Sequence, residues 1–218
     1  KKYVEKKKRI YLSTPFSLEA ARQLNNIKVK AFKIGSGECN NTPLIKEITK
    51  FKKPIILSTG MNDIKSIRPA VNIIRKYKLP YVLLHCVNIY PTPPNLVRLE
   101  AMLEIKKHFK DAIIGLSDHT EDIYTSLGAV ALGASVIEKH FTDNKKSKGP
   151  DHHYSLNPVE FKNYVIKLKN CYRMLGSSKK EMLTAEKKIG RRKKERAKRE
   201  IKDAFCQNGY YIKGGTDI

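Results

Sequence analysis

The sequence predicts an α/β fold made of repeated strand–helix units carrying a parallel sheet. Three observations predict it. Short apolar runs recur at residues 10–13, 31–35, 54–58, 81–87, 112–116 and 135–137, a spacing of about 20 to 30 residues that matches βα units. Each run is followed by a helical pattern, and each ends in polar or glycine-rich residues, as the carboxyl ends of strands in such folds do. All six runs are expected to lie parallel, and six units are too few to close an eight-stranded barrel.

The helices carry start and stop signals. Ser17, followed by Glu19-Ala20-Ala21, opens the first. Asn62 ahead of Asp63-Ile64 is placed to cap the third, where Ile67, Val71, Ile73 and Ile74 form one apolar stripe despite Pro69. Thr120 with Glu121-Asp122 is expected to open the helix after the fifth run, setting carboxylates near a positive helix end. Asn157-Pro158 starts a longer amphipathic helix with Phe161, Tyr164, Val165, Leu168 and Tyr172 on one face, and Gly176 ends it. Beyond Lys180 the pattern decays into residues that form either a highly charged helix or no fixed structure.

With 218 residues and a hydrophobic fraction of 40%, the chain can bury one sizeable core. Its apolar runs are far shorter than a membrane span and no signal-peptide pattern opens it, so a soluble, cytoplasmic protein is expected. The opening Lys1-Lys2-Tyr3-Val4 reads as a piece of something longer. Four scattered cysteines, Cys39, Cys86, Cys171 and Cys206, have neither zinc-knuckle nor disulfide-framework spacing. Cys86, inside an apolar run, is expected to be a small buried hydrophobe. The net charge of +23 is spread over solvated lysine faces, but residues 187–202 concentrate ten Lys or Arg. That stretch can attach to a polyanion. It holds no aromatic residue and no reader motif, so specific nucleic-acid recognition is not expected.

The chemistry gathers where the runs end. Ser117-Asp118-His119-Thr120 and Glu138-Lys139-His140-Phe141 place two histidines at the same end of adjacent strands. One such histidine would read as an ordinary structural residue, whereas two in register can converge on one divalent cation. The other ends supply Ser13-Thr14-Pro15, Lys33-Ile34-Gly35-Ser36-Gly37-Glu38, Ser58-Thr59-Gly60 and Asn88-Ile89-Tyr90. Taken singly these are common loop and capping residues. Together, glycine-exposed N–H groups, hydroxyls and a lysine are what a phosphate ester requires. Lys148-Gly149-Pro150-Asp151 then suggests a turn that sets the Asp151 carboxylate over the same mouth, either to accept hydrogen bonds from a sugar or as plain surface.

Six ordered segments, Phe32 to Glu38, Ile55 to Met61, Leu84 to Thr92, Gly115 to Thr120, Glu138 to Thr142 and Gly149 to His152, resemble the sialic acid synthases, the N-acetylneuraminate synthase family. The resemblance covers about residues 10 to 186. It implies a TIM (β/α)8 barrel that condenses phosphoenolpyruvate with N-acetylmannosamine or a related N-acyl sugar and releases phosphate. It further implies that His119 and His140 hold Mn²⁺ or Mg²⁺, that Thr14, Lys33, Ser36, Ser58, Asn88 and Ser117 bind phosphoenolpyruvate, and that Glu38, Tyr90 and Asp151 hold the sugar.

By the same resemblance, the chain corresponds to strands three to eight of an incomplete barrel. The family's general-base Glu and a phosphate-binding Lys would lie upstream, so no catalytic residue is assigned within these residues. Residues 1–180 are expected to form the partial synthase barrel and 181–218 a basic linker with a truncated antifreeze-like domain. Arg199 to Lys202 and Tyr211 to Ile218 resemble remnants of that linker and domain. The family's domain reaches across a homodimer with an Arg for which no counterpart is seen. The alternative expectation is a catalytically inactive fragment that only binds ligand or polyanions.

Overall fold

In the computed structural model, which describes residues 1–207, the parallel sheet has five strands in the order β1-β2-β3-β4-β5. They are β1 (Phe32–Ile34), β2 (Ile55–Ser58), β3 (Tyr81–His85), β4 (Ile113–Asp118) and β5 (Val136–Lys139). Each strand pairs with its sequence neighbour, Ile34 opposite Leu57, Leu57 opposite Leu83, Leu84 opposite Gly115 and Asp118 opposite Lys139. A doubly wound sheet would reverse direction at a switch point. Unbroken sequential order is the arrangement of a half-barrel, with the crossover helices on its outer face.

The first expected strand does not form. Residues 10–13 have no regular structure, and residues 10–16 make no backbone hydrogen bond to the sheet among the described residues. Ile10 is 69% exposed, and only Tyr11 of the run packs on the core. An apolar run alone did not make a strand, because an edge segment has a single possible partner and Pro15 cannot donate to it. A helix absent from the sequence reading, α1 (Lys2–Lys6), precedes the run. Two strands also run further than the apolar runs did: β4 continues through Ser117 and Asp118, and β5 through Glu138 and Lys139.

The helices between are α2 (Leu18–Asn26), α3 (Thr42–Lys50), α4 (Ile64–Lys76), α5 (Glu100–His108) and α6 (Tyr124–Ala131), followed by α7 (Pro158–Leu175). Ser17 caps α2 by accepting from the Ala20 N–H, as expected. The cap of α4 is Asp63, in a reciprocal capping box with Ser66, and not Asn62. Asn62 instead donates to the Ser36 and Gly60 carbonyls. Thr120 likewise does not open α6, which starts after Ile123 with no side-chain cap, because the Thr120 hydroxyl and N–H are both taken by Asp118. Asn157 caps α7 and Gly176, at φ 55°, follows its last residue. On α7 only Tyr164 is buried, and Tyr172 is 70% exposed.

One apolar core joins the strands to α2 through α6, with Phe32, Ile34, Ile45, Ile48, Leu57, Ile67, Ile74, Leu83 and Phe109 fully enclosed. Gly115 is what lets β4 and β5 close: a Cβ there would stand 2.3 Å from the Val136 carbonyl oxygen and 2.6 Å from Leu84 Cδ2. The chain divides into two units, Lys1–Leu175 and a second beginning at Gly176. The described part of the second holds α8 (Thr184–Gln207), a helix that carries the basic run, so the charged-helix alternative holds for these residues. The expected remnant at 211–218 lies outside the described residues. No helix among the described residues is long and apolar enough to cross a membrane.

Candidate active site

The carboxyl ends of the strands bring most of the expected groups together. Lys33, the middle residue of β1, extends its ammonium to Glu138 on β5, with Nζ 3.1 Å from Oε1. Ser117 Oγ donates to the same Glu138 oxygen at 2.7 Å and lies 3.3 Å from His119 Nε2. Glu138 is 42% exposed toward solvent, so this ion pair belongs to the open mouth and not to the sealed core.

The two histidines converge as the spacing predicted, with ring centroids 5.4 Å apart. His119 is fixed on both sides: its Nδ1 lies 2.7 Å from the Val87 carbonyl oxygen, and its own carbonyl accepts from the Thr92 N–H. Donation from Nδ1 leaves Nε2 as the free lone pair. Burial lowers the His119 pKa, against the opposing effect of that carbonyl, and so favours the neutral imidazole that a metal requires. The Tyr90 ring packs 4.2 Å from His119. His140 has the Tyr154 hydroxyl 3.4 Å and the Asp151 carboxylate 3.8 Å from its Nδ1. Asp151 arrives there because residues 142–156 loop back to β5: Leu156 N–H donates to the His140 carbonyl and Thr142 N–H to that of Leu156. Among the described residues no group of three or more His, Cys, Asp or Glu is positioned to hold a metal. The protein donors of a bound ion would therefore be the two imidazoles, with its remaining positions left to water or substrate oxygens.

The ends of β1, β2 and β3 form a second cluster. Ser36 Oγ and Cys86 Sγ stand 3.0 Å apart, and the Gly60 N–H donates to both, at 3.0 and 3.2 Å. Asn88 closes over Gly60 so tightly that a Cβ would fall 2.1 Å from its Oδ1. Cys86 is buried as expected, but past the end of β3 and among polar atoms. Beside it, burial raises Cys39 to about 12 and keeps it a thiol. Ser58 Oγ is buried with no hydrogen-bond partner among the described residues. Buried hydroxyls without partners are uncommon and point to a group that ligand would satisfy.

Two expected residues lie around the end of β1. Glu38 lies in the 3₁₀ turn after β1 and accepts from Asn41 Nδ2, and it has no hydrogen bond to either histidine among the described residues. Thr14 lies beside the end of β1, its Cγ2 3.7 Å from where a Cβ on Gly35 would be. A cavity of about 580 Å³ opens on the outer flank of β3, lined by Thr59, Cys86, Asn88, Arg98 and Ile105 among others. It includes neither Lys33 nor the two histidines, so this hollow is not where the charged groups converge.

Glu138 and Tyr154 are site residues that sequence reasoning missed. Glu138 was visible as the residue two before His140, on the same face of the strand by alternation. Tyr154 had no signal, since only the returning loop brings it in.

The residues match the NeuB family model over positions 1–180. This chain belongs to the NeuB family. Over 181 residues it is 46% identical to the N,N'-diacetyllegionaminic acid synthase of Campylobacter jejuni, covering 82% of this chain and 54% of that protein. It is 36% identical to the human N-acetylneuraminate-9-phosphate synthase, covering 77% of this chain and 46% of that one. The crystal structure of the N-acetylneuraminic acid (sialic acid) synthetase of Leptospira borgpetersenii, in complex with citrate, superposes with a TM-score of 0.82 at 32% identity, covering 88% of this chain and 67% of that chain. The NeuB-family chain thus spans about half the length of the curated relatives it matches.

Proposed function

We propose that these residues form the phosphoenolpyruvate and metal side of a sialic acid synthase-type active site. The site joins phosphoenolpyruvate to N-acetylmannosamine or a related N-acyl sugar, consuming one water and releasing phosphate. The observation that carries this reading is the convergence of Lys33, Ser117, Glu138, His119 and His140 on one mouth. A fixed cation and a hydroxyl meet there beside two converging imidazoles, which is the chemistry an anionic ester and a carbonyl need together. The names of the relatives support a synthase of this acid-sugar class. The hydrogen bonds that hold His119 ready favour it over an inert binding remnant.

In this reading Lys33 and Ser117 turn their donors from Glu138 to the phosphate, and the Ser58 hydroxyl and the Gly60 loop bind the rest of the anion. Asp151 and Tyr90 face the sugar, the carboxylate accepting from its hydroxyls. His119 and His140 fit a divalent ion as a pair of nitrogen donors. Nitrogen favours Mn²⁺ over the harder Mg²⁺. When bound, such an ion supplies Lewis-acid polarisation of the sugar carbonyl.

The test is a thermal melt with phosphoenolpyruvate and Mn²⁺, each alone and together. Ligand that binds only the folded state raises the midpoint. Phosphoenolpyruvate is expected to stabilise the parent chain and not Lys33→Met, and the His119→Ala, His140→Ala variant should lose the Mn²⁺ response. A parent melt indifferent to phosphoenolpyruvate at millimolar concentration sinks the reading.

A further inference from the structure

A charged pair lies directly behind the two histidines, and the chemistry above does not use it. Asp118 and Lys139 are opposite one another in the β4–β5 ladder, each one residue before a histidine. Their side chains are 0% and 2% exposed, with Nζ 3.2 Å from Oδ2. The rest of both groups is bonded as well. Asp118 Oδ1 accepts from the Thr120 N–H at 2.9 Å and hydroxyl at 2.7 Å, and Oδ2 accepts from Ser126 Oγ at 2.6 Å. Lys139 also donates to the Thr120 carbonyl, and Ser126 is joined to Tyr164 of α7 at 2.5 Å.

Burying an ion pair is a poor way to gain stability, since desolvation offsets the attraction. Such pairs are better explained by the geometry they impose. The imposed geometry here is specific. The ammonium of Lys139 holds Asp118, the last residue of β4, and Thr120 just beyond it at once, so the peptide carrying His119 is gripped from both sides by the residue next to His140. A change in the pair moves one imidazole relative to the other.

We infer that Asp118 and Lys139 are positioning residues that set the separation and aim of His119 and His140 for a divalent cation. This rests on the metal reading above. Losing partners that orient metal-bound histidines typically weakens metal binding about 10- to 100-fold.

The experiment measures Mn²⁺ binding by the electron paramagnetic resonance signal of free Mn²⁺, with melting midpoints on the same samples. The proteins are the parent, His119→Ala, Lys139→Met, the double variant Asp118→Asn, Lys139→Met, and Ser126→Ala. The double variant removes both charges yet keeps an oxygen for Thr120, so its midpoint should recover above that of Lys139→Met while Mn²⁺ affinity stays about 10- to 100-fold below the parent. Recovery of both midpoint and affinity overturns the inference and leaves the metal reading intact. Parent binding that His119→Ala does not weaken overturns the metal reading and this inference with it. Should the double variant not fold, Ser126→Ala, which removes one hydroxyl from Asp118, decides: weakened Mn²⁺ binding supports the clamp, and parent affinity overturns it.

Discussion

The two halves of the strand-end face treat their polar groups in opposite ways. At β4 and β5 every buried charge is matched within the protein: Asp118 holds Thr120, Ser126 and Lys139, and His119 is pinned at its ring and its carbonyl. At β1 to β3 the groups are left open or loosely shared. Ser58 has a buried hydroxyl without a partner among the described residues, and one Gly60 N–H is divided between a hydroxyl and a thiol. A matched network is rigid and costly to breach, while an unmatched group costs stability in the free protein and returns it when ligand arrives. On the proposed reading, one half holds metal ligands still and the other receives an anion.

The largest effect that can break this comparison is in the matched half. Lys139→Met leaves the Asp118 carboxylate buried without its cation and is expected to cost about 3–5 kcal/mol in urea unfolding. A cost under about 1 kcal/mol would mean the network is not the rigid element described. The next is Gly60→Ala in the open half. Its Cβ would lie 2.1 Å from Asn88 Oδ1 and 2.8 Å from Cys86 Sγ, so Asn88 and Cys86 must move. The expected cost is about 1–3 kcal/mol, with a loss of phosphoenolpyruvate affinity in calorimetric titration that exceeds any loss of Mn²⁺ affinity. Equal losses of both would show that the two halves are not separable.

How much of this could be read from the residues differs between the halves for a physical reason. The two histidines were legible because strand ends share one face of the sheet, so His119 and His140 had to emerge together once the runs before them were strands. The strand at 10–13 was misread because apolar content says nothing about whether a partner strand is present to bond it. The caps at Asn62 and Thr120 failed for a related reason: each side chain had a better tertiary partner, the Ser36 and Gly60 carbonyls in one case and Asp118 in the other. Glu138 and Lys139 sat in a motif noted for its histidine, and their roles depend on contacts to Lys33 and Asp118 more than twenty residues away in sequence or across a strand pair. Chain position carries local chemistry well and cross-strand pairing poorly.

Ser58→Ala sharpens the comparison because its two effects have opposite signs. Removing a buried hydroxyl that has no partner should leave the free protein as stable as before or up to about 1 kcal/mol more so. Phosphoenolpyruvate binding should fall about tenfold or more, the size of one hydrogen bond to a charged group. Loss of stability with unchanged affinity would place the hydroxyl among the matched groups after all.

The smallest effect concerns a pair that resembles Asp118 and Lys139 in chemistry but not in setting. Arg75 and Asp111 form a two-point ion pair at the surface, Nε donating to Oδ2 at 3.0 Å, with side chains 37% and 51% exposed. The guanidinium holds the Asp111 carboxyl down at about 2. Because the folded value lies below the unfolded one of about 3.9, the pair's contribution is complete above about pH 4 and is lost as pH falls from there through about 2. Solvent screening limits that contribution to less than about 1 kcal/mol, so Asp111→Asn should cost little at pH 7 and less in high salt. It should also flatten the acid limb of stability between about pH 4 and 2. A cost at neutral pH approaching that of Lys139→Met would mean that burial is not what separates the two pairs, and the argument for the clamp behind the histidines would lose its physical basis.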